Sequence, residues 1–465
     1  MPKEEHTMSY LSKLSTALFV IFLLTGCIQP FGGPSATATP TASPTPEATP
    51  TVTPEGWGSV SVVSSTLYED SYGDYIVAGL IFNGTEQAVE RIKLTLRAAD
   101  SAGKSVLSKD FGTTFVDTLQ VPPSLEQIPS GGYTPFEYTI NTGDPATYSV
   151  EISSSSPSTD EFFPVNVENA QLLYGGDGDY YLAGELVNPN PFMVKVEGLA
   201  GVILDAEGEV KAADEIFYHG AYLLPAGDPS GLDRLPFGTH IYGPLRSFSG
   251  FAVYPLAIQE ETEEEVAYTA TVTHTFVDNL GKYHVVGQVT SNTVEQLGMP
   301  KVMAALYDAD GLAIAVYEQY SNPGLRPGET GTFDLYSFQA VSNVDGLAGR
   351  VADVRVAINP GGSFDAFNVY TLDTTGVTRQ YFDFGPSWYF TGYAVNTSDV
   401  PQGSATVSVD VYDADDRLVG TGFGYTRIGD EVPVGGTMGD WELYVFLDPA
   451  LDPATLRYEV IAWAE

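Results

Sequence analysis

The sequence predicts an all-β chain, with four tandem antiparallel β-sandwich domains carried behind an apolar leader and a Thr/Pro-rich stalk. Three observations carry that reading. Apolar and polar residues alternate at a period of two in segment after segment; no segment offers a long amphipathic helix; and one set of landmark residues recurs four times at nearly constant spacing.

At the start of the chain, Lys3 and Lys13 supply positive charge. Leu14 to Leu24 is then a short apolar stretch ending in Leu24-Thr25-Gly26-Cys27. A run of this length suits the core of a signal peptide, because a membrane-spanning helix needs ~20 apolar residues. The four closing residues resemble the lipobox of prokaryotic lipoproteins. That resemblance implies a diacylglyceryl group on the Cys27 thiol and cleavage before Cys27, so that residues 1–26 are a signal peptide. It further implies a chain tethered to a membrane through this lipid, in the cell envelope and facing outside the cytoplasm. Cys27 is the one cysteine of the chain, so the domains must hold together without disulfides.

Residues 27–56 comprise the lipidated Cys and a stalk. Pro40, Pro44, Pro46, Pro50 and Pro54 alternate with Thr, Ser and Ala, and no apolar periodicity runs through them. Proline fixes φ, so an extended spacer with polyproline II character is expected, disordered and reaching at most ~3.1 Å per residue.

The repeats begin at residue 57. Each starts with an aromatic residue followed four positions later by Gly: Tyr75 and Gly79, Tyr180 and Gly184, Tyr283 and Gly287, Trp388 and Gly392. Each Gly is followed 21 residues on by Asp, at Asp100, Asp205, Asp308 and Asp413, and an Asn falls between them at Asn83, Asn188, Asn292 and Asn396. About 48 residues past each Asp comes a last alternating segment, and the unit recurs every 103 to 105 residues. The boundaries that follow are 57–157, 162–259, 266–360 and 363–465, joined by linkers too short to allow much bending. Units strung end to end are expected.

Within a unit, Ile92-Lys93-Leu94-Thr95-Leu96-Arg97 alternates strictly, as do Tyr148-Ser149-Val150-Glu151-Ile152, Val354-Arg355-Val356-Ala357-Ile358 and Val407-Ser408-Val409-Asp410-Val411. Such strands bury one face and wet the other, the pattern of antiparallel sheets. Short strands, frequent Gly and Pro, and ~100 residues per unit point to an immunoglobulin-like sandwich without the Cys…Trp…Cys signature. The recurring Asp lies in Asp100-Ser101-Ala102-Gly103, Asp205-Ala206-Glu207-Gly208, Asp308-Ala309-Asp310-Gly311 and Asp413-Ala414-Asp415-Asp416. These are hairpin turns, because Asp and Gly tolerate positive φ.

Leu306-Tyr307-Asp308-Ala309-Asp310-Gly311, preceded by Val285-Val286-Gly287-Gln288-Val289, resembles the FxLYD-type immunoglobulin-like domains of prokaryotic surface lipoproteins. The Phe of that motif is Ala304 in the third unit and Val409 in the fourth, and the first two units lack its Tyr as well. The resemblance implies fold and location and brings no catalytic residues.

Charge narrows the partners. With 60 Asp and Glu against 20 Lys and Arg the net charge is −40, and removing the leader leaves it unchanged. Phosphate backbones need clustered Lys and Arg, so nucleic acid is excluded as a partner. His6, His219, His240, His274 and His284 form no zinc-binding spacing, and His274 and His284 read as surface or edge residues of strands. No Gly-x-Ser-x-Gly elbow occurs, and Gly420-Thr421-Gly422-Phe423-Gly424 reads as a glycine-rich strand. Carboxylate pairs are too common here to argue for a glycosidase. No catalytic residue is assigned, and the chain is read as a non-enzyme without a cofactor.

Calcium is the alternative. Asp308 with Asp310, and Asp413 with Asp415 and Asp416, put carboxylates two residues apart in a turn, as hard cations favour, and Asp177 with Asp179 raises the same question. The twelfth position from Asp308 is Gln319, so the EF-hand Glu is missing and plain hairpins are the leading reading. Trp388 is expected in a core, with Trp57, Trp441 and Trp463 in cores or at edges. The functional expectation is a surface lipoprotein whose domains act as a spacer or adhesion array toward a surface protein or glycan. The alternative is a subunit capturing sugars, peptides or cations for a transporter or enzyme, with the long loops of the first two units, including 220–238, as its recognition elements.

Overall fold

Alternation at a period of two becomes strand after strand. The first repeat contributes β1 (Val60–Glu69), β2 (Tyr75–Asn83), β3 (Val89–Ala99), four short strands β4 to β7 (Ser108–Lys109, Thr114–Phe115, Leu119–Val121, Gln127–Ile128), β8 (Tyr133–Ile140) and β9 (Thr147–Pro157). The second contributes β10 (Asn166–Gly176), β11 (Asp179–Val187), β12 (Val194–Leu204), β13 (Val210–Ile216), β14 (Ala221–Leu223), β15 (Arg234–Tyr242) and β16 (Gly250–Gln259). The third holds β17 (Tyr268–Val277), β18 (Tyr283–Ser291), β19 (Lys301–Tyr307), β20 (Ala313–Tyr320), β21 (Thr330–Tyr336) and β22 (Asp353–Asn359). The fourth holds β23 (Tyr370–Phe382), β24 (Ser387–Val395), β25 (Thr406–Tyr412), β26 (Leu418–Tyr425), β27 (Thr437–Phe446) and β28 (Arg457–Ala464).

This computed structural model describes residues 58–464 except 71–72, 110–113, 177, 141–142, 217–220, 245–247, 262–267, 293–299, 321–324, 337–346, 360–369, 383–385 and 427–430. Cys27, the stalk, Trp57, Asp177 and His219 lie outside the described residues. The described residues all belong to one compact unit, Pro46–Glu465.

The chain is all-β and antiparallel, as its periodicity predicts, and the one helix among the described residues is the four-residue Leu347–Arg350. In the third repeat, one sheet runs β17-β18-β21 and the other β20-β19-β22. The first two repeats pair β1-β2-β8 and β10-β11-β15 in the same way; their second sheets are built around β3 and β12. In the fourth, β23 pairs with both β28 and β24, so the two sheets join in one path, β26-β25-β28-β23-β24-β27. The last alternating segment of every unit pairs with the strand that leads into the Asp hairpin: β9 on β3, β16 on β12, β22 on β19 and β28 on β25.

The landmarks now have physical reasons. Each landmark Gly lies directly across from a buried aromatic residue on the neighbouring strand: Gly79 from Phe136, Gly184 from Phe237, Gly287 from Phe333 and Gly392 from Trp441. A Cβ at these positions would stand 2.4, 2.8, 2.2 and 2.6 Å from those rings, so the ring occupies the space a side chain would need. Asn83, Asn188 and Asn396 are buried, and each turns its amide into a local scaffold. Asn83 Nδ2 donates to the carbonyls of Gln87, Ile128 and Pro129, while its Oδ1 accepts from Thr85 N and Oγ1. Asn188 and Asn396 repeat the arrangement with Phe192, Leu223 and Leu224, and with Val400 and Val432. In the third repeat the equivalent residue is Ser291, whose N–H and C=O bond Glu329 and Gly328 just as Asn83 bonds Gly132 and Gly131. Asn292 is exposed, one residue beyond the site. The expected third Asn landmark, Asn292, is therefore corrected to Ser291.

Successive repeats do not hang on their linkers alone. The outer face of β1-β2-β8 packs against β13, that of β10-β11-β15 against β20, and that of β17-β18-β21 against β26. One hydrophobic cluster accordingly runs from Ile76, Ala78 and Leu80 of the first repeat into Ala213 and Ile216 of the second. A second takes Leu173, Tyr181 and Ala183 into the core of the third, and a third joins Phe276 and Val286 to Leu418 of the fourth. Polar contacts fix the register. Tyr181 Oη donates to Val316 O and accepts from Val316 N, both at 3.0 Å; Tyr307 Oη donates to Glu185 at 2.7 Å; Thr332 Oγ1 donates to Asp410 at 2.8 Å.

Candidate functional site

The hairpin aspartates are placed by the strands that flank them, β3, β12, β19 and β25. In each unit the carboxylate turns back onto its own loop. Asp308 Oδ1 accepts from the N–H groups of Asp310 and Leu312, both at 3.1 Å, and Oδ2 meets Arg350 at 3.3 Å. Asp413 Oδ1 accepts from Asp415 N and Arg417 N, with the Arg417 guanidinium on Oδ2. Asp100 and Asp205 do the same with Ala102 and Lys104, and with Glu207 and Glu209. Three residues after the Asp, the chain takes positive φ, at Gly103, Gly208, Gly311 and the non-glycine Asp416. The recurring Asp is thus a turn cap, a role local hydrogen bonding fully accounts for.

Asp310 and Asp415 contribute backbone N–H groups to these caps, and both are exposed. Asp179 pairs instead with His240 Nδ1 at 2.9 Å. Among the described residues, no group of three or more His, Cys, Asp or Glu side chains is arranged to hold a metal ion. A direct prediction follows for the caps. Asp308→Ala should cost about 1 kcal/mol by leaving two N–H groups to water, equally in millimolar calcium and in chelator, whereas Asp310→Ala should be near neutral. Thermal melting of the chain in calcium, magnesium and high salt checks this, and a calcium-specific rise lost with both substitutions would reverse the assignment.

A groove of about 620 Å³ lies where the first two repeats meet. Residues 124–127 of the first repeat form one wall and residues 160–163 another. Leu125, Phe162 and Leu256 make an apolar floor, and Glu126, Asp160, Glu161, Glu197 and Glu215 surround it. The long loops of the two repeats are placed differently. The loop of the first repeat lines the groove, whereas residues 221–223 of the second pair with β12 as β14, and Leu224 and Leu232 are buried.

The chemically unusual groups lie at the junctions, where sequence reasoning missed them. His284 is fully buried, not a surface residue. Its ring is stacked on Phe276 at 4.4 Å and on Tyr336 at 4.6 Å between centroids, and Phe446 of the fourth repeat lies 5.4 Å away. Nδ1 is 3.0 Å from Asp334, and Nε2 is 3.6 Å from Asp278, an ion-pair distance. Burial alone would pull this imidazole down; the carboxylates of Asp334 and Asp278 outweigh it and raise it to about 9. Asp334 is pushed up by burial. Asp278 is also buried, but the neighbouring His284 imidazolium, with hydrogen bonds from Lys282 N and Leu280 N, holds it below the usual carboxylate range. His274, also expected at a surface or edge, instead bridges to Asp448 of the fourth repeat at 3.0 Å.

At the first junction Glu137 is half-buried against the second repeat, with its Oε2 shielded from solvent. Burial, with Asp214 nearby, pushes its carboxyl up to about 8 against a backbone hydrogen bond from Ala213, and Oε2 has no hydrogen-bond partner among the described residues. Asp214 is itself raised by burial to about 6. Trp388, Trp441 and Trp463 are all in the core.

No family model matches the chain, and no curated protein matches it. Among solved structures it is similar to a chain described as a Ca2+-stabilized adhesin that helps an Antarctic bacterium reach out and bind ice. Identity is 11%, coverage is 83% of this chain and 98% of that chain, and the TM-score is 0.13. A likeness at that score carries no functional argument.

Proposed function

We propose that the protein is a non-enzymatic lipoprotein of the cell envelope, anchored through a lipid on Cys27 and presenting its β-sandwich repeats outside the cytoplasm as a spacer or adhesion array. The observation that carries this reading is the buried packing between successive repeats, repeated at all three junctions, behind an apolar leader that ends in Leu24-Thr25-Gly26-Cys27. Junctions with aromatic rings, ion pairs and hydrogen bonds hold neighbouring repeats in fixed register, which suits a part that must transmit position or force. A spacer made of linkers alone would need none of them.

Labelling tests the anchor. Cells expressing the chain should incorporate labelled palmitate into it, and Cys27→Ala should abolish the label and release the protein from the membrane fraction. Label retained in the variant, or absent from the parent, overturns the anchor.

The groove at the first junction favours one second reading, capture of a cationic or polar ligand such as a peptide, sugar or metal ion on behalf of a transporter or enzyme. Its apolar floor ringed by carboxylates supports that alternative. A reproducible hit in a peptide or glycan screen, lost on Leu125→Asp, would decide for capture over spacing.

A further inference from the structure

The groove at the first junction is held in shape from both sides. On one wall, Ser124 N donates to Pro135 O at 2.8 Å and Leu125 N to Thr134 Oγ1 at 2.9 Å, which ties the loop of the first repeat to β8. On the other, Phe163 N donates to Ala257 O at 2.9 Å, Phe162 is bridged to Ile258, and the Phe163 ring stands edge-on to Phe192. Gln127 Nε2 donates to Asp160 Oδ2 at 2.8 Å and joins the two walls. The floor is close to the backbone of β12, since a Cβ on Gly198 would stand 2.8 Å from Leu125 Cδ2. A site already in shape gives up little conformational freedom on binding.

Its chemistry is one-sided. Leu125, Phe162 and Leu256 give an apolar floor inside a rim of carboxylates. Glu197 of that rim meets Lys195 at 2.8 Å. Glu126 and Glu161, one on each wall, are exposed and meet no Lys, Arg or His side chain among the described residues. This combination selects among ligands. Anions are repelled by the rim and by a net charge of −40. A bare metal ion gains nothing from an apolar floor, and among the described residues no three His, Cys, Asp or Glu side chains are arranged to hold one. A neutral sugar would leave the charge of both walls uncompensated. A Lys or Arg side chain uses both features at once, because its aliphatic stem lies on apolar surface while its head reaches a carboxylate.

We propose that this groove docks a short segment of a partner protein in which an apolar side chain stands between Lys or Arg residues. The apolar side chain lies on Leu125 and Phe162, and the basic ones meet Glu126 on one wall and Glu161 on the other. The inference rests on the capture reading of this groove and names its ligand, and charge complementarity around an apolar floor is what selects that ligand. Glu126 and Glu161 are exposed, so binding should weaken as salt screens them, while the contribution of the floor persists.

The test is isothermal titration of the full chain in neutral detergent, blanked against empty micelles, with the capped peptide Arg-Leu-Lys-Leu-Arg. A dissociation constant of about 10 to 100 μM is expected at about 50 mM salt, rising at least about fivefold by about 500 mM. Replacing both leucines of the peptide by glycine should weaken binding about tenfold or more. Glu126→Lys with Glu161→Lys should do the same with an unchanged melting profile. Reversing two exposed acids on the hairpins of the third and fourth repeats, Asp310→Lys with Asp415→Lys, should leave binding within about twofold of the parent. Equal losses from the two pairs would reduce the effect to general attraction by an acidic chain and overturn the proposal. A glycine peptide or spermine that binds as tightly as the parent peptide overturns it too. Calcium or cellotetraose bound in the groove, with the peptide unbound, would overturn the peptide assignment and keep capture, and no binding of any of these probes would remove both.

Discussion

His284→Gln should weaken the third junction by roughly 3–5 kcal/mol at pH 7, the usual cost of removing one partner from a buried ion pair. The parent site holds an imidazolium between Asp334 and Asp278 with aromatic rings on both faces. Glutamine keeps much of the shape and none of the charge, so two carboxylates are left in an apolar junction without a cation. Acid should relieve the variant, since protonating Asp334 and Asp278 removes what has become unpaired. Asp334→Asn added to His284→Gln should recover part of the loss at pH 7 for the same reason.

The pH dependence of the parent has a definite sign. The folded imidazole is raised from 6.5 to about 9, so the folded state holds the proton more tightly than the unfolded chain does. Its contribution is complete below pH 6.5 and is lost as pH rises through 9. Below the ordinary Asp value of 3.8, protonation of the depressed Asp278 begins to undo the site from the acid side. Because several repeats unfold in sequence or together, a single melting temperature would blur the effect. Hydrogen exchange of the β18 amides, read from pH 5 to 9.5, reports it locally. Protection of β18 that is flat across pH 6.5 to 9, or unchanged in the variant, would sink the assignment of a buried imidazolium.

Much of this architecture was legible in the chain, and the limits of that legibility are physical. Strands were readable because one wet face forces a period of two, and the Asp hairpins because the cap and its turn are local, within four residues. The aromatic partner of each landmark Gly was not, since Phe136, Phe237, Phe333 and Trp441 follow their glycines at intervals that change with loop length. Ser291 escaped for a related reason: an exposed Asn292 beside it imitates the pattern of the other repeats. The junctions were hidden altogether. Tyr181 bonds Val316 across 135 positions, and His284 meets Asp334 across 50, distances at which no sequence period survives. An alternating strand with His in it looks half exposed until a neighbouring repeat closes over its outer face.

Glu137→Gln should act in the opposite direction, stabilising the first junction by on the order of 2 kcal/mol at pH 9 while doing little at pH 4.5. The folded carboxyl titrates near 8 and the unfolded one near 4.5, so between those values the folded state carries a proton that the unfolded chain has released. Stability therefore falls as pH rises from 4.5 to 8, and above 8 the parent holds a buried carboxylate whose Oε2 has no hydrogen-bond partner among the described residues. The size is set below the full pKa difference because the residue is not completely shielded and water can relax around it. Asp214, raised to about 6, adds a component of the same sign between 3.8 and 6 that the substitution leaves in place. Exchange of the β13 amides should show the gain, and an equal difference between variant and parent at pH 5 and pH 9 would rule out titration as its cause. The two junctions then loosen in overlapping windows as pH rises, the first from 4.5 to 8 and the third from 6.5 to 9, and local exchange at β13 and β18 separates them by place.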